Sequence, residues 1–324
     1  MLLAHKIRLS YPDGPDQPPL CRSWDVIEEF GLQKEASEFL HHGVRARRAF
    51  LASGKSAGAN AWPRYLYKYR ALDAENEHSV QLARKLLVHG QIWAASPASL
   101  NDPAEMGFKL VLNPDPVARR AWVDAAIRSM PNLSPAARLK RKAELLRMQI
   151  TPSMEASFRQ QVATSLGVFC ASTDPRSKTG WAHYGDEHRG FCVQLATYED
   201  ELFLAAREVI YSQTFPILMV PEKTGQQQEY YLTKDAAWQK EKEWRVAVPV
   251  QNCAISLRPR AISGLILGRR MAPGTKKILA QLLQERERAN LPALRVYQEQ
   301  SSLNSFHIRI QRYGGLALDR QEPG

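Results

Sequence analysis

LGVFCAS at 166–172, GFCVQLA at 190–196, REVIYS at 207–212, WRVAVPV at 244–250, ISGLILG at 262–268, LRVYQEQ at 294–300 and FHIRIQRY at 306–313 decide the fold class. Each run is short and rich in β-branched and aromatic residues, and turn formers or charges separate the runs, so each reads as a strand. One clear amphipathic helix sits among them. Thr275 is its expected N-cap, and Ile278, Leu279, Leu282 and Leu283 share its core face. Strands and helices do not alternate as βαβ units require. The expectation is an α+β fold with a mixed, mainly antiparallel, strand-rich core, and not a doubly wound sheet.

Upstream of these strands the texture differs. Residues 116–165 are helical and basic, centred on ARLKRKAELLRM at 137–148, and read as a helical insertion. Its charge suits nucleic acid, although a solvated helix face is the plainer reading. Further back, FKLVLN at 108–113, QIWAAS at 91–96 and RYLYKYR at 64–70 are short strand candidates. Between the last two, ENEHSVQLARKLLVHG at 75–90 places Val80, Ala83, Leu86 and Leu87 on one helix face, with Gly90 at its end. SGKSAGANAWP at 53–63 is the clearest boundary. Residues 1–60 are expected to form an N-terminal appendage, partly helical and partly flexible, the flexible part being YPDGPDQPP at 11–19. Residues 61–324 are expected to form the α+β domain.

The formal net charge of +11 favours an acidic partner such as nucleic acid, a nucleotide or an anionic surface. Cys21, Cys170, Cys192 and Cys253 are scattered without CxxC spacing, against both a disulfide framework and a structural zinc. The opening MLLAHKIRLSYPDG is too short and polar for a signal peptide, and no run nears the ~20 apolar residues of a membrane span. A cytoplasmic protein without membrane contact is expected, with delivery to another cell left open. GxGxxG, GxxxxGK[ST] and GxSxG are absent, which disfavours dehydrogenase, P-loop and α/β-hydrolase chemistry.

Four segments carry functional side chains. In the first, Tyr67-Lys68-Tyr69-Arg70, the strand-end arginine can clamp a phosphate or carboxylate. The second runs from Ser96 to Glu105, where Ser96, Asn101 and Asp102 present short polar groups on a turn. The third, Trp181 to Gly190, is the densest: Trp181, His183 and Tyr184 suit a ring-bearing ligand. His183 and His188 are five apart with no evident third ligand, so no metal site is expected. The fourth, Lys240 to Arg245, places Glu241 and Glu243 at alternate positions, together on one face if the segment is extended. Buried aromatics and solvated charges are the bland alternatives for all four.

Taken in order, LYKYR at 66–70, IWAASPASLNDPAE at 92–105, WAHYGDEHRGFCVQL at 181–195 and KEKEWRVAVP at 240–249 resemble the DUF2971 proteins, a bacterial family of uncharacterised function. The resemblance covers about residues 64–270. A second resemblance is to ADP-ribosyltransferase folds: an Arg on the first strand, a helix, a Ser ending the next strand and a late Glu-x-Glu. It implies a split-sheet core and NAD as substrate. Arg70 would hold the phosphates, Ser96 would support the nicotinamide ribose, and Glu243, with Glu241 two before it, would stabilise the oxocarbenium-like transition state. Tyr67, Asn101, Asp102, Trp181, His183 and Tyr184 would complete the NAD site. Where that class has Ser-Thr-Ser, this chain has Ala95-Ser96-Pro97. The implied protein is a toxin, effector or defence transferase acting on protein or nucleic acid. Two rivals stand beside it. One is a non-enzymatic nucleotide or nucleic-acid binding module. The other is a divalent-metal nuclease using Asp102, Glu105, Asp186 and Glu243.

Overall fold

A computed structural model describes residues 20–29, 32–34, 36, 37, 47, 49, 62–130, 132–221 and 229–314. The chain divides into two compact units. Met1–Ser96, Leu166–Val209 and Ala237–Gly324 make the first; Pro97–Ser165 and Ile210–Ala236 make the second. The elements in chain order begin with β1 (Leu20–Arg22), α1 (Ser23–Glu29), β2 (Tyr65–Arg70), α2 (Glu77–Leu87), β3 (Gln91–Ala94) and β4 (Lys109–Leu112). Next come α3 (Pro116–Arg128), α4 (Pro135–Arg147), α5 (Pro152–Ser165), β5 (Gly167–Ser172), β6 (Phe191–Ala196) and β7 (Arg207–Glu208). Then follow β8 (Ile210–Ser212), β9 (Ile217–Val220), α6 (Glu229–Leu232), β10 (Thr233–Asp235), β11 (Glu243–Val248) and β12 (Cys253–Ser256). The last are β13 (Ile262–Leu267), α7 (Pro273–Arg288), β14 (Arg295–Ser301) and β15 (Ile308–Arg312).

The first unit is built on an eight-stranded sheet ordered β15-β14-β13-β6-β2-β5-β11-β7, with a three-stranded sheet β1-β12-β3 beside it. Within the larger sheet only β13 and β14 run parallel. The fold is therefore mixed α+β and rich in antiparallel pairs. Alternation along the strands sends successive side chains to opposite faces. One face carries Leu66, Phe169, Phe191, Val193, Leu195, Val246, Leu265 and Leu267 into the main core, with Leu86 and Leu87 of α2 and Leu279 and Leu282 of α7. The other face carries a smaller core of Tyr69, Trp181, Cys192, Ile266 and Ile308. All six residues of β11 are buried, as expected of a strand covered on both sides.

Helix α2 starts at Asn76, whose side chain accepts from the Ser79 amide, and ends just before Gly90, which sits at φ +68°. Arg84 forks onto Glu285 of α7 at 2.8 and 3.0 Å. Arg286, 2% exposed, donates to the carbonyls of Leu87, Pro259 and Pro292 and so locks the ends of both helices. Helix α7 begins one turn earlier than Thr275 implies. Its N-cap is Ala272, without a side-chain bond, and Pro273 supplies the fixed φ of the first position. Thr275 is instead buried. Within the 1–60 stretch, β1 pairs with β12, and Val26 and Ile27 of α1 are fully buried in the main core. Residues 11–19 lie outside the described residues.

The second unit holds the helical stretch, resolved into α3, α4 and α5. Asp115 and Ser134 cap the first two, each followed by proline. Two parallel strand pairs, β4 with β9 and β8 with β10, complete it. Phe108 anchors its core, edge-on to Phe158 and Tyr230. Helix α4 has no buried residue. The single strand expected at 207–212 is two, because β7 pairs with β11 in the first unit while β8 pairs with β10 in the second.

Asp200 has no exposed surface and accepts from the Leu202 and Arg258 amides at 2.9 and 2.6 Å. Burial, reinforced by the charge of Glu201, lifts its carboxyl from 3.8 to about 6. The folded state then binds this proton more tightly than the unfolded chain, so the contribution to stability falls as pH rises from about 4 to about 6. That interval, at ~1.4 kcal/mol per pH unit, caps the effect at ~3 kcal/mol. Urea melts at pH 4.5 and 7.5 should show Asp200→Asn gaining stability relative to wild type at the higher pH; a difference independent of pH would contradict this assignment.

Candidate functional site

The eight-stranded sheet opens next to β2. Along one edge β2 pairs with β6 throughout, from Tyr65 opposite Ala196 to Arg70 opposite Phe191. Along the other it shares a single register pair with β5, Tyr67 opposite Ser172. Further along β5, Val168 exchanges hydrogen bonds with Ala95 at 2.8 and 3.0 Å. In the wedge so opened, the Lys68 ammonium donates to the Cys170 carbonyl at 2.7 Å. Burial, and then the neighbouring charge of Arg70, pull Lys68 down to about 8.

Arg70 follows Lys68 on the same strand face. It is half-buried, and desolvation alone holds its guanidinium below the ordinary value. Among the described residues its side chain has no hydrogen-bond or ion-pair partner. A desolvated guanidinium of this kind is a ready receptor for a phosphate or carboxylate.

The acids approach from β11. Glu241 ends the 3-10 turn Ala236–Glu241, and Lys242 takes φ +47° before the strand begins at Glu243. The two glutamates therefore do not share one strand by simple alternation, because the backbone turns between them. Both are nevertheless buried, 6% and 5% exposed. Tyr184 donates its hydroxyl to Glu241 Oε1 at 3.0 Å, and Ser172 Oγ donates to the Glu241 carbonyl at 2.6 Å. Arg245, fully buried, donates to Glu243 Oε1 at 2.7 Å. The negative charges of Glu243 and Glu241 both act on Lys68 and oppose its depression. Burial, followed by Glu243, pushes the Cys170 thiol up to about 12. Lys68 thus stands electrostatically between Arg70 and the two carboxylates.

The segment after β5 explains why the Trp motif lies beside this wedge. Gly180–Tyr184 forms one wide turn closed by the Gly185 amide on the Gly180 carbonyl at 2.9 Å. Asp186, Glu187 and His188 then all sit at positive φ, 49°, 48° and 70°, a run that non-glycine residues adopt only at a cost. Arg189 holds the turn by forking onto Asp186 at 3.0 and 3.1 Å. His188 Nδ1 meets the buried Glu299 carboxylate at 2.7 Å, and its ring stacks on Trp181. Gly190 packs against the backbone of Arg70, and a Cβ there would fall 2.1 Å from the Arg70 carbonyl oxygen. The motif is thereby folded onto the strand that presents Arg70.

Trp181 does not form a ligand wall. It is fully buried, donates its indole N–H to the Pro175 carbonyl at 3.0 Å and lies edge-on to Tyr69. The ring surface available to a ligand is instead His183, which is exposed, with Tyr184 and Trp238 edge-on at 6.4 and 6.1 Å. Tyr67 is half-buried and its hydroxyl accepts from Gln194. Ser96 is 8% exposed, with its amide on Asn252 Oδ1 at 3.0 Å. The residue before it pairs at Val168, four positions along β5 from the level of Glu243, roughly 13 Å at strand spacing. Asn101 and Asp102 belong to the second unit.

The first unit therefore gathers Tyr67, Arg70, Tyr184, Glu241 and Glu243 around the wedge, with His183 beside Tyr184. It leaves Trp181 in the core and Ser96 at the far end of β5. Sequence inspection missed Lys68, Cys170, Trp238 and Arg245. Strand parity with Arg70 was the available signal for Lys68, and Trp238 had none. Of the residues a metal nuclease would use, Asp186 is paired with Arg189, Glu243 is paired with Arg245, and Asp102 and Glu105 lie in the second unit. Among the described residues, no three His, Cys, Asp or Glu side chains are placed to hold a metal ion, and no helix is long and apolar enough to cross a membrane. No family model, curated protein or solved structure matches the chain.

Gly190→Ala forces the Arg70 backbone to move, because the added methyl has only main-chain atoms to displace. The expected loss is ~1–3 kcal/mol of stability by overpacking, together with weaker pyrophosphate binding in the variant that remains folded. Denaturant melts and calorimetry check both; wild-type behaviour in both would show that the close approach is not a constraint.

Proposed function

We propose that the first unit is an NAD-dependent ADP-ribosyltransferase-like enzyme of the DUF2971 type, with the wedge between β2 and β5 as the opening of a split sheet. One observation carries this: a desolvated, partnerless Arg70 is joined through Lys68 to two buried glutamates at one end of the sheet. Arg70 and charged Lys68 hold the pyrophosphate. His183, Tyr184 and Trp238 face a ring. As the nicotinamide–ribose bond breaks, nicotinamide leaves with the bonding electrons and positive charge grows on the ribose. A fixed carboxylate in a dry site stabilises that charge. Glu243 is the first candidate and Glu241, held by Tyr184, the second. The acceptor's nucleophile then bonds to the ribose carbon and loses its proton. The +11 charge favours a nucleic-acid acceptor over a protein, and a toxin, effector or defence role fits such a transfer.

Calorimetric titration with NAD and an assay of nicotinamide release test the proposal. Wild type should bind and release nicotinamide. Arg70→Gln should bind at least ~10-fold more weakly, the order expected for losing a charged hydrogen bond. Glu243→Gln should bind without release, with a thermal melt to confirm folding, since Arg245 loses its buried partner. Lys68 is charged below about 8, so NAD affinity should be full at pH 7 and fall as pH rises through about 8. No binding at millimolar NAD would overturn the proposal. Salt-dependent binding of RNA in its place would favour the non-enzymatic module, for which the unburied basic face of α4 is the natural contact.

A further inference from the structure

The second unit has a cavity of its own, about 370 Å³, large enough for a small ligand. Its lining includes Asp102, Glu105, Lys234, Asp235 and Phe215. Lys234 and Glu105 form an ion pair at 2.7 Å, each side chain 5% exposed. The Asn-Asp-Pro turn sets up one wall: the Ala104 amide bonds Asp102 Oδ1 at 2.9 Å and the Glu105 amide bonds the Asp102 carbonyl at 3.0 Å. Phe215 lies against Gly107, where a Cβ would meet the ring at 2.4 Å, and the ring remains 49% exposed. A half-exposed phenyl ring at a polar cavity is costly unless something covers it.

The chemistry of the lining narrows the occupant. Three carboxylates face one ammonium, so the cavity is net negative in a chain that is otherwise strongly basic. Phosphates and carboxylates are repelled. A further organic cation gains little from Phe215, because Arg159 already stands 5.7 Å from that ring's centroid. A neutral ligand bearing several hydroxyls fits both features. Its hydroxyls donate to the carboxylates and its C–H face lies on the ring.

We infer that this cavity binds an uncharged polyhydroxylated ligand of the sugar class, recognised by Asp102 and Asp235 and stacked on Phe215. The site is independent of the transferase proposal and gives the Asn-Asp-Pro turn a role apart from Arg70. Saturation-transfer NMR on the full chain, with ribose, glucose and N-acetylglucosamine as probes, tests it. At least one sugar should receive saturation, and Asp235→Asn and Phe215→Ala should each reduce the signal severalfold. Both residues are exposed, and a thermal melt confirms folding; if Phe215→Ala does not fold, Asp235→Asn alone decides. Silence from all three sugars, or equal transfer in wild type and the folded variants, overturns the inference. So does displacement of the bound sugar by inorganic phosphate or spermidine. None of the probes carries phosphate, so their failure leaves the Arg70 proposal standing.

Discussion

The Lys68–Cys170 contact is the constraint on which the proposed site depends. Where β2 parts from β5, an ammonium fills the place of a strand partner and donates to a main-chain carbonyl. A buried charge persists only when it is hydrogen-bonded and electrostatically compensated. Glu243 and Glu241 supply the compensation. Without them Lys68 would sit neutral in the wedge, and nothing positive would accompany Arg70.

Around that contact, other features limit movement. Gly190 brings the strained 186–188 turn against the Arg70 main chain, and Glu299 holds His188, which in turn stacks on Trp181. The rigid parts of the Trp motif thus support the site from beneath, while His183 and Tyr184 meet the ligand side. Pre-organised donors and carboxylates of this kind are what charge-stabilising catalysis requires, since they need not reorganise as the bond breaks.

The strands were legible because each apolar run is short and separated from the next by turn formers or charges, and the antiparallel character followed from the scarcity of helices between them. Helix α2 was legible from its face and from Gly90. What sequence could not convey is register. That β2 and β5 share one pair, that Ser96 lies four positions from the Glu243 level, and that REVIYS divides between two units are all consequences of long-range pairing. Trp181 was misread for a different reason. In a motif crowded with charges an indole resembles a ligand wall, yet its apolar area is large enough to draw it fully inside. The backbone turn at Lys242 was hidden too, because no glycine or asparagine marks it.

Side-chain NMR titration of Lys68, alone and with pyrophosphate, tests the central claim most directly. The account predicts a midpoint near 8 in the free chain, moving upward when pyrophosphate seats on Arg70 and adds negative charge beside the ammonium. A midpoint at the ordinary lysine value of 10.5, unmoved by pyrophosphate, would contradict it.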